Sequence, residues 1–141
     1  MEQKPAFWTE PLGAGFQMAV SREHRLWTDT VLLAHFSAPK AGERACDLGA
    51  GCGSIPLIWL RSDVPGSVTA VEIQQEACEL MEKSIALNHL EQRLRVVCSD
   101  LRELKGKVPA GEFDIVVCNP PYKAERAGLQ SPVDAKAAAR N

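Results

Sequence analysis

The sequence of 141 residues lacks a large excess of either charge, long apolar runs and internal repeats. Its formal net charge of −2 at pH 7 argues against a chain that coats nucleic acid by general positive charge, so such contacts would need a local basic patch or a partner subunit. No segment approaches the roughly 18 apolar residues of a membrane span, and the amino end lacks the apolar region of a signal peptide. We therefore expect a cytoplasmic protein without membrane contact that forms one domain or a piece of one.

The sequence also lacks cysteines that are closely spaced in pairs. Its five cysteines are odd in number and form no C-x-x-C pair with metal-ligand spacing, which favours a reducing compartment and predicts no metal site. Cys46, Cys98 and Cys118 lie in apolar, strand-like runs. We expect their thiols to pack there as small hydrophobic groups.

The first part of the chain predicts a hairpin followed by a short helix. The runs "FQMAV" and "HRLW" are typical of strands and are joined through "SRE", with Gly13 and Gly15 in a loop before them. Thr28 or Asp29 is suited to cap the helix that follows, and Pro39 is suited to stop it. The apolar face of this helix is expected to comprise Val31, Leu32, His35 and Phe36.

After this helix, apolar runs alternate with helix-like segments. The apolar runs are "RACDLG", "SVTAVEI", "LRVVCSD" and "FDIVVCN", and the helix-like segments between them include "SIPLIWLRSD" and "QQEACELMEKSIALNHL". The longer segment has one face at three- and four-residue steps, which comprises Ala77, Leu80, Met81, Ser84, Ile85 and Asn88. Such β-α-β units with right-handed crossovers build a parallel sheet covered by helices on both faces. We therefore predict an α/β fold with a doubly wound parallel sheet.

A glycine-rich loop, "DLGAGCG" from Asp47 to Gly53, joins the first of these apolar runs to the helix after it. Its glycines allow a tight turn and the close approach of a ligand to the amides at the helix start. The third glycine comes one residue too early for the dinucleotide fingerprint G-x-G-x-x-G, and no lysine follows as in a phosphate-binding loop. Because the Asp47 carboxylate would repel phosphate, the loop suits a cationic ligand such as S-adenosylmethionine, which carries an ammonium and a sulfonium.

Two further acids close the next two apolar runs. Glu72 stands where α/β folds of this kind accept hydrogen bonds from ribose hydroxyls, and Asp100 closes the run after it. Since the carboxyl ends of parallel strands meet at one crevice, Asp47, Glu72 and Asp100 should line it together. Any one of them alone is explained equally well as a cap or a solvated loop residue. Their combination, in register with the alternation of strands and helices, predicts a cofactor site.

The stretch "VVCNPPY", Val116 to Tyr122, ends the last apolar run in an asparagine, two prolines and a tyrosine. An exocyclic amine of a base is a poor nucleophile because its lone pair is delocalised into the ring, so two fixed acceptors for its N–H bonds would help more than a general base. The Asn119 side-chain oxygen and the Pro120 carbonyl can supply them, and Pro121 restricts Pro120 to extended geometry. Tyr122 can stack on an extruded base, a contact worth about 1–3 kcal/mol.

From about Phe16 to its end, the sequence resembles class I S-adenosylmethionine-dependent methyltransferases, and "NPPY" resembles the branch that methylates planar nitrogen. The run "RLWTDTVLLAHF … DLGAGCGSIPL … VEI … FDIVVCNPPY … AAARN" is most similar to bacterial enzymes of the methyltransferase small domain group, which modify N6 of an adenosine beside the anticodon of valine tRNA. The resemblance implies a Rossmann-like fold, S-adenosyl-L-methionine as cofactor, and a nucleic acid substrate, expected to be tRNA.

Carried over by position, the resemblance also implies roles for individual residues. The residues expected to bind the cofactor are Thr28, Asp47, Gly49, Ala50, Gly51, Gly53, Glu72, Ile73, Asp100, Leu101 and Asn119. Within this set the glycine loop would hold the methionine portion, Glu72 the ribose, and Asp100 with Leu101 the adenine. The catalytic residues expected around the target base are Asn119, Pro120 and Tyr122.

The chain is short for this family, whose fold has seven strands. We divide it into residues 1–27, an amino-terminal segment with the hairpin, and residues 28–141, a cofactor-binding core that is incomplete at its carboxyl end. The strand "DIVVC" would then lie at an exposed, apolar sheet edge. Either the chain is a fragment, or two chains cover each other's edge as a homodimer.

Two kinds of alternative remain open for the function. The same motif suits the amide nitrogen of a glutamine in a release factor, guanine N2 in ribosomal RNA, or an adenine in DNA, because each target is a planar amino group. The short chain also suits a catalytically silent subunit that binds the cofactor.

Overall fold

The structure, a computed structural model, describes residues 7–62 and 65–119. The strands within these ranges are β1 (Trp8–Gly13), β2 (Phe16–Val20), β3 (Arg44–Leu48), β4 (Ser67–Glu72), β5 (Leu94–Cys98) and β6 (Ile115–Cys118). The helices are α1 (Thr28–Phe36), α2 (Ser54–Leu60) and α3 (Gln75–Asn88), and one turn of 3₁₀ helix spans Leu101–Glu103. The predicted alternation of strands and helices after α1 is confirmed.

Four strands form a parallel sheet in the order β5-β4-β3-β6. In its register Leu48 lies opposite Val71 on one side and Cys118 on the other. The chain moves outward from β3 to β4 and β5 and then returns to the other side of β3 with β6. The strand order therefore reverses between β3 and β6, which is where open α/β sheets bind their ligands. The predicted α/β fold is confirmed.

The two faces of the sheet are covered differently. Helices α2 and α3 pack with Ala45, Ala70 and Val117 in the larger core on one face. On the opposite face Cys46 and Val71 belong to a smaller cluster, covered by the 3₁₀ turn and the connection 104–113. Right-handed crossovers explain this division, because the direction of strand addition reverses after β5.

Helix α3 buries the face that its sequence predicts. Its buried residues are Ala77, Cys78, Leu80, Met81, Ser84 and Ile85. Asn88 is only partly buried, and its side chain bonds to the hairpin: Oδ1 accepts from the Gln17 amide at 2.9 Å and Nδ2 donates to the Gln17 carbonyl at 2.7 Å. The Ala19 amide likewise donates to Ser84 Oγ at 2.8 Å. Strand β2 is therefore fixed on α3.

The amino-terminal hairpin exists, but its predicted strands were wrong in part. "FQMAV" is β2, and it pairs with β1 before it rather than with "HRLW", which is not a strand. The turn lies at Ala14 and Gly15, whose φ angles of 55° and 81° are both positive, as a two-residue hairpin turn requires. Of the two glycines that were read as a preceding loop, Gly15 thus lies in the turn and Gly13 ends β1.

The prediction for α1 was also wrong in two respects. The residue before the helix is Trp27, with no side-chain capping bond, and Thr28 is already helical. Leu32 and Phe36 are 64% and 90% exposed, whereas Ala34 is buried. The small Ala34 faces α2, where the buried indole of Trp59 donates from Nε1 to the Ala34 carbonyl at 3.1 Å.

The predicted burial of three cysteines is confirmed only for Cys46. Cys98 and Cys118 are exposed, because each ends an outer strand of the four that the structure describes. Val116 on β6 is also 54% exposed. In the described part of the chain, β6 therefore is an edge strand with an apolar exposed residue, as its sequence predicts.

Candidate functional site

The glycine loop turns sharply where β3 ends. The amides of Gly49 and Ala50 both donate to the Val71 carbonyl, at 2.8 and 2.9 Å, which fixes the loop to the end of β4. Gly49 and Gly51 have φ angles of 79° and 60°, and a Cβ atom at either position would meet no atom within 4 Å. The loop therefore presents an open backbone surface on which a ligand could lie close.

The third glycine of the loop has a packing role. Gly53 has a φ of 95° just before α2, and a Cβ atom there would lie 2.6 Å from Met81 Cγ. Because Gly53 lacks that atom, α2 and α3 approach closely at the loop. This contact explains the glycine without reference to a ligand, so a direct role of Gly53 in cofactor binding stays a prediction.

Asp47 is a buried carboxylate beside the loop. Its side chain is 1% exposed, and within the described residues its Oδ1 has no hydrogen-bond partner. Burial, and after it the negative charge of Glu72, raises the pKa of Asp47 to about 8. A buried oxygen without a partner is unusual in a folded chain, and a cationic group of a ligand would satisfy it.

Glu72 connects the end of β4 to the glycine loop. The residue is 7% exposed; Oε1 accepts from the Gly51 amide at 2.7 Å and Oε2 accepts from the Gln74 amide at 3.0 Å. The sequence placed Glu72 at the crevice but did not reveal this bond to the loop. Ile73, the residue after it, is 46% exposed and so available to a ligand.

Asp100 is held by a neighbour that the sequence analysis missed. The Arg102 side chain lies 2.6 Å from Asp100 Oδ2, and the Arg102 amide donates to Oδ1 at 2.8 Å. These hydrogen bonds hold the pKa of Asp100 at about 2, below its usual range. Leu101 packs against the smaller core cluster. An acid followed two positions later by arginine at a 3₁₀ turn is the signal that could have indicated this pair.

Asn119 follows β6, on the other side of the strand-order reversal from the glycine loop that follows β3. Leu48 and Cys118 are opposite each other in register, so Asn119 and Gly49 leave neighbouring strands at the same edge. Asn119 Nδ2 donates to Thr30 Oγ1 of α1 at 3.1 Å. Thr30 was missed by the sequence analysis, and Thr28 is exposed in the first turn of the same helix.

The sheet thus brings Asp47, the glycine loop, Glu72 and Asn119 to one edge. Pro120 and Tyr122, predicted to complete the site for the target base, lie outside the described residues. In residues 7–62 and 65–119, no three side chains of His, Cys, Asp or Glu are grouped so that they could hold a metal ion. No helix in this part of the chain is long and apolar enough to cross a bilayer.

Comparison with known families agrees with this geometry. The methyltransferase small domain matches residues 25–137, which is most of the chain. The chain belongs to this family. The family predicted from the glycine loop and the "NPPY" stretch is therefore confirmed.

Two curated relatives of this methyltransferase small domain share one name, tRNA1(Val) (adenine(37)-N6)-methyltransferase. The protein from Shewanella halifaxensis is 31% identical over 114 residues, which cover 81% of this chain and 45% of the relative. That from Bacteroides fragilis is 33% identical over 98 residues, which cover 70% of this chain and 41% of the relative. The chain thus spans less than half the length of these relatives.

Solved structures show the same architecture. The tRNA m1G37 methyltransferase of M. jannaschii superposes with a TM-score of 0.65 at 18% identity, covering 96% of this chain and 41% of that one. At this identity the likeness concerns the fold alone. It confirms the α/β architecture that the alternation of strands and helices predicts, and the Rossmann-like fold that the resemblance to the methyltransferase small domain implies.

Proposed function

We propose that this domain binds S-adenosyl-L-methionine and directs its methyl group to an exocyclic amino nitrogen, N6 of an adenosine in tRNA. One observation carries the proposal: a buried carboxyl oxygen of Asp47, without a partner among the described residues, stands beside an open glycine loop, and Asn119 leaves the neighbouring strand at the same edge. The first group suits a cationic cofactor. The Asn119 side chain suits a substrate whose amino group accepts the methyl.

The chain's own residues fit this cofactor in charge and in space. Asp47 would offer its free oxygen to the ammonium of the methionine portion, and the glycine loop at Gly49 and Gly51 leaves room for backbone contact. Glu72 would take the ribose with the lone pairs that its two backbone bonds leave free. Asp100 with Leu101 would bound the adenine, and Ile73 is exposed after β4 and so available to the ligand.

The chemistry follows from the positions of acceptors. When bound, the cofactor supplies a methyl group activated by a positively charged sulfur. Asn119 Oδ1 and the Pro120 carbonyl would each accept an N–H of the target amine, so that its lone pair is freed from the ring and faces the methyl group. Tyr122 would hold the extruded base by stacking.

The names of the relatives favour tRNA over the other substrates. Both curated relatives are named as tRNA methyltransferases, although the present chain matches less than half of each. A glutamine amide, guanine N2 of ribosomal RNA and adenine in DNA share the planar amino group. They are outcomes that the experiment below distinguishes.

Calorimetry with S-adenosyl-L-methionine tests the cofactor assignment on this chain directly. We expect binding that is lost in Asp47→Ala and retained in Glu91→Gln, which alters an exposed acid after α3. Folded protein that binds no cofactor would refute the assignment. Transfer of labelled methyl by the protein in its native length, into tRNA, ribosomal RNA, DNA and protein fractions, then identifies the substrate. Cofactor binding without transfer into any fraction would indicate a silent subunit.

A homodimer and a cytoplasmic location stay predictions. The exposed Val116 on β6 supports a surface that a second copy could cover. Light scattering across a range of concentrations measures the mass in solution, and Val116→Lys should lower it if β6 is the interface. A monomer at every concentration contradicts the dimer.

A further inference from the structure

Helix α1 contacts the residue expected to handle the target amine. Asn119 Nδ2 donates to Thr30 Oγ1 at 3.1 Å, which joins two residues 89 positions apart. Both residues are partly buried, so the bond is shielded from full competition with water. We propose that Thr30 is a positioning residue that fixes the orientation of the Asn119 amide, an inference that rests on the proposed function.

The position of Thr30 is itself fixed from the core. Ala34 lies one helical turn after Thr30, on the same side of α1. The buried Trp59 of α2 donates from Nε1 to the Ala34 carbonyl at 3.1 Å. Helix α1 thus cannot shift along α2 without breaking a buried hydrogen bond, and Thr30 is presented to Asn119 at a defined place.

The chemistry of the amide explains why its orientation matters. An asparagine side chain has donors on one side and an acceptor on the other, and rotation by half a turn exchanges them. With Nδ2 bonded to Thr30, Oδ1 points to the opposite side, where it could accept an N–H of a substrate amine. In the reversed orientation, the NH₂ group would face the N–H bonds of the amine, and the two sets of donors would repel each other.

A threonine hydroxyl suits this task because it has two acceptor lone pairs. Valine at the same position has nearly the same shape but lacks the acceptor. In Thr30→Val, the Asn119 amide loses the acceptor to which Nδ2 donates in the structure. Serine keeps the hydroxyl and should keep the orientation.

The first measurement is kinetic and uses the protein in its native length. We expect Thr30→Val to lower kcat for methyl transfer about threefold to tenfold, as the loss of one neutral hydrogen bond implies, while the affinity for S-adenosyl-L-methionine stays unchanged. Thr30→Ser should restore kcat. Thr9→Val makes the same chemical change on exposed β1 and should leave kcat unchanged.

The second measurement observes the amide itself and needs no activity. The chain has three asparagines, Asn88, Asn119 and Asn141, so selective ¹⁵N labelling of asparagine gives three side-chain NH₂ pairs. The Asn119 pair, identified by its loss in Asn119→Gln, should shift and exchange faster with water in Thr30→Val. The Asn88 pair, which donates to Gln17 and Ser84 carbonyls, serves as the internal reference.

Each outcome decides the proposal. An Asn119 pair that is identical in Thr30→Val and the unaltered protein would overturn the positioning role. An unchanged kcat in Thr30→Val would also overturn the positioning role. A higher kcat would do the same, because it would mean that the Thr30 hydroxyl donates to Asn119 Oδ1 and blocks that acceptor. A native-length protein that binds cofactor but transfers no methyl would overturn the proposed function and the positioning role together, whereas failure of Thr30 alone leaves the proposed function intact.

Discussion

The backbone amide of Gly51 donates a hydrogen bond of 2.7 Å to the side chain of Glu72, so the acid that ends β4 holds the loop that follows β3. The other carboxylate oxygen accepts from the Gln74 amide at 3.0 Å. Glu72 therefore shapes the site before any ligand arrives. Its role is to arrange the backbone as well as to offer acceptors to a ribose.

This relationship predicts a specific effect of Glu72→Gln. The substituted side chain places an NH₂ group against one of the two amides, so one hydrogen bond to a charged acceptor is replaced by two opposed donors. Hydrogen bonds of this kind contribute about 1.5–3 kcal/mol, so we expect the affinity for S-adenosyl-L-methionine to fall at least about tenfold. Calorimetry measures it, with Glu91→Gln as the control. Equal affinity in both variants would show that the loop does not depend on Glu72.

The raised pKa of Asp47 predicts how the free energy of unfolding depends on pH. Its pKa is raised from 3.8 to about 8 in the folded chain, so the proton is held more firmly there than in the unfolded chain. This contribution to the free energy of unfolding is full below about pH 4 and is lost as the pH rises to about 8. Relative to the unaltered protein, Asp47→Asn should become more stable with rising pH, by up to about 1.4 kcal/mol per pH unit.

Denaturant unfolding of the two proteins between pH 5 and pH 8 checks this prediction. Because the two proteins differ only at position 47, the difference between them reports Asp47 together with its interaction with Glu72. Asp29→Asn makes the same chemical change at an exposed position and is the matched control. A difference between Asp47→Asn and the unaltered protein that stays constant with pH would contradict the raised pKa.

Gly53 predicts a loss of stability from a single added methyl group. Gly53→Ala must accept a φ of 95° and a Cβ atom 2.6 Å from Met81 Cγ. Strain at a positive φ costs about 1–2 kcal/mol, and overpacking adds about 1–3 kcal/mol. Gly106→Ala is the matched control, because its φ is 82° but its Cβ atom would meet nothing within 4 Å. Thermal or denaturant unfolding should show the larger loss for Gly53→Ala, and equal losses would refute the packing role.

The position of Asn119 predicts that its removal lowers the rate of methyl transfer far more than it lowers cofactor affinity. Removing one preorganised hydrogen-bonding group at a reacting centre typically lowers kcat about a hundredfold or more. We expect Asn119→Ala to show this decrease in the native-length protein, while calorimetry gives a much smaller loss of affinity for the cofactor. An unchanged kcat would rule out the proposed role of its side-chain oxygen.

Much of the fold could be predicted because its signals are local. Buried parallel strands are nearly continuous apolar runs, and the apolar face of α3 repeats with the helical period, so β3 to β6 and α3 follow from the sequence. Glycines after β3 and acids at the next strand ends likewise indicate the crevice. Each of these features depends on residues that lie within a few positions of one another in the sequence.

The missed features depend on contacts between distant parts of the chain. Nothing near Thr30 indicates that Asn119 will reach its hydroxyl, and nothing near Glu72 indicates a bond to Gly51. Helix α1 shows the same limit, because Ala34 turns inward to meet Trp59 while the more apolar Phe36 is 90% exposed. Tertiary packing, and not the apolar pattern of the sequence, thus determines which face of α1 is buried.

The hairpin has a consequence for where this chain could be divided. The family match begins at residue 25, yet Met18, Ala19 and Val20 before it are fully buried, and β2 is bonded to α3. A fragment that began at residue 25 would expose the apolar side of α3 and leave Ser84 without the amide it binds. Common ancestry can be traced from residue 25, whereas the cooperative unit that folds together extends back through the hairpin.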